Sequence, residues 1–343
     1  MISIHRYSLP LASAFVSSKG SITHRECALV RLVAGPSCGL GEASPMPGLC
    51  PDPLDQVQAE LDALDGAIPG LPRNISEVDS WVQSLAQTSA VQHALGSALI
   101  DCMAQANGRS IATLLNPRAR RDVPISHLYT DDDKLLHAVM LGTQTVKVKV
   151  GIAPLSEEVL KIASIRSIVG PDVALRLDAN GAWTEDEATR AIEAFVAHKV
   201  RTIEDPVGPH DYASMARLRG RGIDIAADEA VTSSEALEQI IAASAADVIV
   251  IKPMRVGTPL AALRLIQQAD QARLDTIITT TIDGAVGRMM ALHIAAAAPT
   301  ARLRCCGLNT GSWLQSDFGR TPEWSGSHVD TPTEAGLGVE WVP

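Results

Sequence analysis

From Thr145 onward the chain repeats one plan: a short apolar run ending in polar residues, an amphipathic stretch of helical period, then the next apolar run. Alternation of this kind predicts parallel strands joined by helices. Strands are expected over 145–150, 174–179, 201–205, 223–228, 247–252, 276–281 and 302–307. Lys149, Asp178, Glu204, Asp228, Lys252, Thr280 and Cys306 mark their C-terminal ends and recur every 24 to 29 residues, which suits βα units. Thr184 with Glu187, and Thr232 with Glu235, have the spacing of capping boxes ahead of two of the helices. Residues 122–129 can supply an eighth strand, weakened by Pro124, which has no N–H for a ladder. Unbroken alternation, with no Gly-x-Gly-x-x-Gly after the first strand, favours a closed α/β barrel over an open doubly wound sheet.

The first 115 residues read differently. Strand-like segments at 2–8, 21–33 and 39–43 come first and helical ones at 55–67 and 76–103 follow, the order of an α+β unit. Residues 11–20, and 44–53 with its four prolines, read as loops. After Phe318 the chain is polar and glycine-rich, and a strand-like 338–342 is expected to pack back on the N-terminal unit. The division is therefore 1–115, a barrel over 116–318, and a returning segment 319–343.

At 343 residues the chain is too long for one ordinary domain but fits a barrel plus a smaller unit. It is 46% hydrophobic and 20% charged, so a large core is available and disorder is excluded. A formal net charge of −10 without any basic run argues against nucleic acid and acidic membrane surfaces, leaving small molecules as partners. The apolar fraction is compatible with a homo-oligomer. Six cysteines without Cys-x-x-Cys spacing read as reduced thiols. Residues 1–18 lack the apolar core of a signal peptide, and no apolar stretch is long enough to span a bilayer, so a cytoplasmic protein is expected.

In an α/β barrel, chemistry sits where strands end at the C-terminal face. The polar residues there form a series: Lys147 and Lys149, Asp178 with Asn180, Glu204 with Asp205, Asp228 with Glu229, then Lys252. Lys147 and Lys149 share one side of their strand while Val146, Val148 and Val150 take the other. One solvated face would explain them, except that parallel strands are normally covered on both sides. Lysine is scarce, seven against 22 arginines, yet three of the seven are at strand ends. Only lysine of the two can lose its proton for acid–base work. Taken singly, Asp178, Glu204 and Asp228 could cap the helices that follow or pair with Arg176. Three carboxylates at one barrel mouth repel unless a cation holds them, and hard oxygen donors without histidine or cysteine suit Mg²⁺. The nine histidines show no His-x-His or His-Glu-x-x-His spacing, which disfavours zinc.

Lys-Val-Lys-Val-Gly (147–151), Arg-Leu-Asp-Ala-Asn-Gly-Ala-Trp (176–183), Ile-Glu-Asp-Pro (203–206), Ala-Asp-Glu-Ala (227–230) and Ile-Lys-Pro (251–253), in this order, resemble the enolase superfamily, muconate-lactonizing subgroup. Gly-Glu-Ala-Ser-Pro (41–45) and Ala-Gly-Leu-Gly-Val (335–339) extend the likeness over nearly the whole chain. The resemblance implies a modified TIM-type (β/α)7β barrel with an α+β capping domain built from both chain ends. It also implies Asp178, Glu204 and Asp228 as ligands of Mg²⁺, with Mn²⁺ as a substitute. Lys149 and Lys252 would stand on opposite faces of a carboxylate substrate, with Lys147 supporting Lys149.

Within the superfamily, strand seven ends in threonines rather than the histidine of the mandelate racemase branch. The segment 306–313 lacks the Asp-x-Asp of dipeptide epimerases and looks most like o-succinylbenzoate synthases of menaquinone biosynthesis. Thr-Thr-Thr-Ile-Asp-Gly-Ala-Val-Gly (279–287) stands where those enzymes tend to carry Ser-Ser-x-x-Glu-Ser-x-x-Gly, so Asp283 and Gly284 are departures. The implied reaction is syn dehydration of a succinyl cyclohexadiene carboxylate through an enediolate. Lys149 would remove the α-proton and then help hydroxide leave, Lys252 would remain cationic, and Thr280, Thr281 and Gly307 would contact the succinyl group. An N-succinyl amino acid racemase or epimerase is the nearest rival, a cycloisomerase a third. A non-catalytic metal-binding barrel is the alternative from another class.

Overall fold

The computed structural model describes residues 1–17, 20–50, 52–64, 68, 70–321, 324 and 326–342. Strands β1 (Ile2–Ser17) and β2 (Gly20–Ala34) make a long antiparallel hairpin, to which β3 (Ser37–Ala43) adds. Residues 11–17, expected in a loop, belong to β1. Pairing slips after Pro10, which stands opposite His24, an irregularity that leaves 11–14 outside this ladder, and resumes with Phe15 opposite Ile22. Of the rest of that expected loop, 18–19 lie outside the described residues and Gly20 opens β2. So does position 51 of the second expected loop, which is otherwise irregular, and so do 65–67, beyond helix α1 (Leu54–Leu64).

The single helical stretch expected over 76–103 is broken into a 3₁₀ turn (Ile75–Glu77), α2 (Val78–Gln83) and α3 (Ser89–Ala106). The break has a tertiary cause. Glu60 accepts from the Gln87 and Thr88 amides, and Asp52 from the Ser89 hydroxyl and the Ala90 amide, so two distant carboxylates start a new helix there. Helix α3 lies on β3 at backbone contact, because Gly39 and Gly41 leave room: a Cβ on Gly41 would overlap the Ala94 carbonyl oxygen. Gly41→Ala should therefore cost about 3 kcal/mol through overpacking, read as a lower urea midpoint at unchanged slope.

After α4 (Ile111–Leu115), the expected eighth strand divides in two. Strand β4 (Asp122–Pro124) pairs antiparallel with the tail, and β5 (His127–Leu128) enters the barrel. Then α5 (Asp132–Met140), β6 (Thr145–Lys149), α6 (Leu155–Val169), β7 (Ala174–Asp178), α7 (Glu185–Val196), β8 (Val200–Glu204) and α8 (Tyr212–Leu218) follow. They are succeeded by β9 (Asp224–Ala227), α9 (Ser234–Ala242), β10 (Val248–Ile251), α10 (Pro253–Val256), α11 (Pro259–Gln271), β11 (Asp275–Ile278) and α12 (Ala285–Ala297). Strands β5 to β11 lie side by side, all parallel.

Residues 302–307 form no continuous strand. They touch Thr276 through Leu303, Thr279 through Gly307 and Ile125 through Cys306, single parallel bridges that join the two edges of the sheet. The fold is thus mixed α/β, a curled parallel sheet beneath an antiparallel N-terminal one. The capping box at Thr184 and Glu187 forms, whereas α9 is capped by Ser233, one residue after the expected Thr232.

The tail carries β12 (Gly319–Arg320), β13 (His328–Asp330) and β14 (Glu340–Trp341). It returns to the N-terminal sheet and α3: Trp341 Nε1 donates to the Tyr7 hydroxyl at 2.9 Å, and the Leu337 amide to Asp101 Oδ1 at 2.9 Å. The cysteines, Cys27, Cys38, Cys50, Cys102, Cys305 and Cys306, are free thiols. Among the described residues no helix is long and apolar enough to cross a membrane.

Two buried histidines sit at the seams. The His93 ring meets the Gly257 carbonyl at 3.2 Å through Nδ1, and the His293 ring meets the Leu337 carbonyl at 2.9 Å through Nε2. A carbonyl only accepts, so each facing nitrogen carries the proton. Burial lowers both rings to about 4, so unfolded chains take up protons between pH 6.5 and 4 that the folded chain refuses. Each histidine therefore gives stability that is complete above pH 6.5 and falls by about 1.4 kcal/mol per pH unit on acidification. NMR should show both rings neutral at pH 5.5. A charged ring there would contradict the assignment.

Candidate active site

Strand register places the charged residues on one face. Lys147 pairs with Arg176, Arg176 with Thr202 and Thr202 with Asp224, one level of the barrel interior. One pleat further toward the C-terminal ends, Lys149, Asp178 and Glu204 stand side by side. Side chains alternate along each strand, so Val248 and Val250 put Lys252 on this same face, and Ala226 does so for Asp228. Below the row, Arg304 bridges Asp275, Asp224 and the Thr202 hydroxyl, and Ala226, Val248, Val250 and Ile277 fill the middle. The charges crown a packed interior rather than line a pore.

Within the row, each carboxylate meets a protein cation. Lys147 Nζ lies 2.7 Å from Asp178 Oδ2 and 2.5 Å from Glu204 Oε2, and Lys149 Nζ lies 2.6 Å from Asp178 Oδ2. Lys252 Nζ lies 2.5 Å from Asp228 Oδ1. Arg176 Nε approaches Glu204 Oε1 to 3.0 Å, but without hydrogen-bond geometry, so that buried oxygen has no donor. The arginine's other nitrogens hold the Cys305 carbonyl and the Ser126 hydroxyl. Burial opposes charge on Asp178, yet Lys147 and Lys149 outweigh it and hold the carboxyl well below the usual range. Burial likewise works against the Lys252 ammonium, but Asp228 and Glu229 overcome it and raise the lysine.

Among the described residues, no group of three or more His, Cys, Asp or Glu side chains is gathered to hold a metal ion. Ammonium groups supply the countercharge that sequence reasoning gave to a dication. The donor set nevertheless fits a hard divalent cation: three carboxylates 3% exposed or less, no thiol or imidazole among them, and one Glu204 oxygen lacking a hydrogen bond.

Sequence reasoning missed how Lys149 is aimed. Asn180 Oδ1 accepts from Lys149 Nζ at 2.6 Å while its amide donates to Glu229 Oε1 at 3.1 Å. Asn180 adopts φ +46°, the left-handed conformation asparagine tolerates, and Gly181 after it was the legible signal. Asp205, also left-handed at φ +38°, accepts from the amides of Asp228 and Glu229 and fixes that strand end.

The threonines stand apart from the row. Thr280 shares a 2.6 Å hydrogen bond with Thr310, and the Thr281 hydroxyl donates to Asp283 at 2.7 Å. Register aligns Val250 with Ile277, so continued alternation gives the inner face to Thr279 rather than to Thr280. Gly307 packs against the Thr279 side chain, whose hydroxyl donates to the Gly307 carbonyl at 2.8 Å. A recess of about 310 Å³ beside Pro45, Pro47 and Cys50 includes none of the charged row, and size alone does not make it the site.

The N-terminal segments reach this mouth. Leu11 bridges to Leu314, Phe15 stacks edge-on to Trp313 at 5.9 Å, and the Ser44 amide meets Met254 Sδ, two residues past Lys252.

Known proteins carry similar chains. Residues 133–343 match the family model described as Enolase C-terminal domain-like, and residues 1–69 the one described as MenC, N-terminal domain. An o-succinylbenzoate synthase of Yersinia pseudotuberculosis is 28% identical over 98% of both chains. An N-succinyl-L-Arg/Lys racemase of Bacillus cereus is 26% identical over 98% of this chain and 94% of its own. The solved L-Ala-D/L-Glu epimerase of Bacillus subtilis superposes with a TM-score of 0.88, at 24% identity, over 99% of this chain and 98% of that one. With an enolase-like model spanning the whole row of charges, the chain belongs to the enolase superfamily, in its muconate-lactonizing subgroup, and is an enzyme of that superfamily.

Proposed function

We propose that the protein is an o-succinylbenzoate synthase, dependent on Mg²⁺ or Mn²⁺, dehydrating a succinyl cyclohexadiene carboxylate of menaquinone biosynthesis. The observation that carries this reading is the order of charges across neighbouring strands: amines at Lys149 and Lys252, carboxylates at Asp178, Glu204 and Asp228 between them. The MenC N-terminal match, and synthases aligned over 98% of both chains, support dehydration in particular. In this reading residues 1–115 with 319–343 cap a barrel over 116–318.

Lys149 moves the proton. Its side chain is 39% exposed, against 18% for Lys147 and 9% for Lys252, so it is the amine that substrate reaches most readily. Asn180 aims it, and Lys147 shares Asp178 and so limits how strongly that carboxylate holds Lys149. Neutral Lys149 takes the α-proton, and the same ammonium then protonates the departing hydroxyl on the same face. Lys252, buried and paired with Asp228, remains cationic against the opposite face. Asp178, Glu204 and Asp228 would hold a divalent cation, which supplies positive charge where the substrate carboxylate becomes an enediolate. The threonines near 280 would meet the succinyl end.

A succinyl amino acid racemase is the second reading, favoured by the presence of an amine on each flank and by the Bacillus cereus relative. Incubation with Mg²⁺ in D₂O separates them. The dehydratase turns over the cyclohexadiene acid and exchanges N-succinyl amino acid α-protons from the Lys149 face alone. Exchange from both faces, with racemisation and no dehydration, overturns it.

A further inference from the structure

The loop after β11 holds a β-branched residue in the left-handed conformation: Ile282 has φ +61°. Such a residue resists this geometry and keeps it only where surroundings over-determine it. Two buried side chains of the N-terminal sheet do so. Arg25, 1% exposed, spends its guanidinium on three carbonyls: Nε donates to Ile282 at 3.2 Å, Nη1 to Pro45 at 3.2 Å and Nη2 to Ser44. Glu42, fully buried, accepts from the amides of Gly284 at 2.6 Å and Gly287 at 2.7 Å, and from the Ser44 hydroxyl at 2.7 Å. Burial, and then Asp283 beside it, push Glu42 up to about 7, so its place in the core is costly.

The departures at 283 and 284 now have a physical reason. A Cβ on Gly284 would come within 2.7 Å of the Phe318 ring and 3.0 Å of Glu42, so serine does not fit. Asp283 accepts from the Thr281 amide at 3.0 Å and closes the turn. Held this way, the Ile282 side chain packs with Leu11 and Met46, and with Phe15 and Leu49 at their edge, joining both N-terminal segments to the barrel mouth.

We propose that Arg25 and Glu42 are positioning residues for substrate selection, which lock Ile282 into an apolar wall with Leu11 and Met46 against the hydrocarbon part of the substrate. The wall favours carboxylates carrying an unsaturated ring over those with a cationic side chain. This rests on the dehydratase reading, because it places substrate at the same mouth.

The test compares the full-length chain with Ile282→Ala, Arg25→Met and Glu42→Gln, in Mg²⁺. Two probes are used: the succinyl cyclohexadiene carboxylate and N-succinyl-L-arginine. Ile282→Ala is expected to raise KM for the ring acid at least tenfold with kcat changed less than threefold. Its KM for any residual N-succinyl-L-arginine exchange should not rise. Arg25→Met and Glu42→Gln should reproduce this split, and Arg25→Lys should not rescue it, because one ammonium cannot span three carbonyls. Loss of kcat on the ring acid with KM unchanged, in folded variants, marks a merely structural role and overturns the inference. So does a wild-type KM in Ile282→Ala, the mildest variant, should the others not fold. Wild-type enzyme inactive on the ring acid overturns the dehydratase reading and this inference together, whereas an active wild type with unchanged variants overturns the inference alone.

Discussion

Lys149→Ala is expected to lower turnover of the succinyl cyclohexadiene carboxylate by about 10⁴-fold, the upper end for a single positioned acid–base group, since one amine serves both half-steps. Stability should hardly change. Lys149 is more than one-third exposed, and Asp178 keeps Lys147 at 2.7 Å when Lys149 is gone, so about 1 kcal/mol or less is lost. The contrast between a large kinetic loss and a small shift in urea midpoint identifies a chemical role. A kcat within tenfold of wild type would remove Lys149 from the reaction.

Glu204→Gln should damage both properties. The carboxylate is 1% exposed and lies between Lys147 and Arg176, so a neutral amide leaves two buried cations with less countercharge. Breaking a buried pair from one side costs about 3–5 kcal/mol. Arg176 retains only the Cys305 carbonyl and the Ser126 hydroxyl, while Lys147 still has Asp178. One cation ligand is removed as well. Charge stabilisation by a bound cation is worth several kcal/mol in the transition state, so kcat should fall roughly 10³-fold in whatever fraction stays folded. Chemical denaturation and saturating Mg²⁺ kinetics read the two losses separately. Wild-type stability would show that these cations do not depend on Glu204.

Much of the site was legible because a strand has period two. Lys147 and Lys149 alternate with three valines, and each of the next three strands ends in an acid, so position in the chain was enough to place them on one face. The partner of each acid was not legible, since strand register decides it: Lys147 reaches across β7 to Glu204 on the second strand over. Which of Thr279 and Thr280 takes the inner face was not legible for the same reason, the phase of β11 being set by its pairing with β10.

In the fold, the missed features came from distant contacts. The strand runs on to 15–17 because 20–22 pair with them, and the break before α3 depends on Glu60 and Asp52. Local pattern also overstated the last strand, where 302–307 close the barrel with isolated bridges.

The central claim is that Asp178, Glu204 and Asp228 hold a divalent cation between two working amines. Anomalous diffraction from crystals soaked in Mn²⁺ tests it most directly. One peak is expected, bonded to oxygens of all three carboxylates at about 2.0–2.3 Å, with the Lys147, Lys149 and Lys252 ammonium groups drawn off them. No peak at saturating Mn²⁺, with the ammonium groups still seated on the carboxylates, would contradict it.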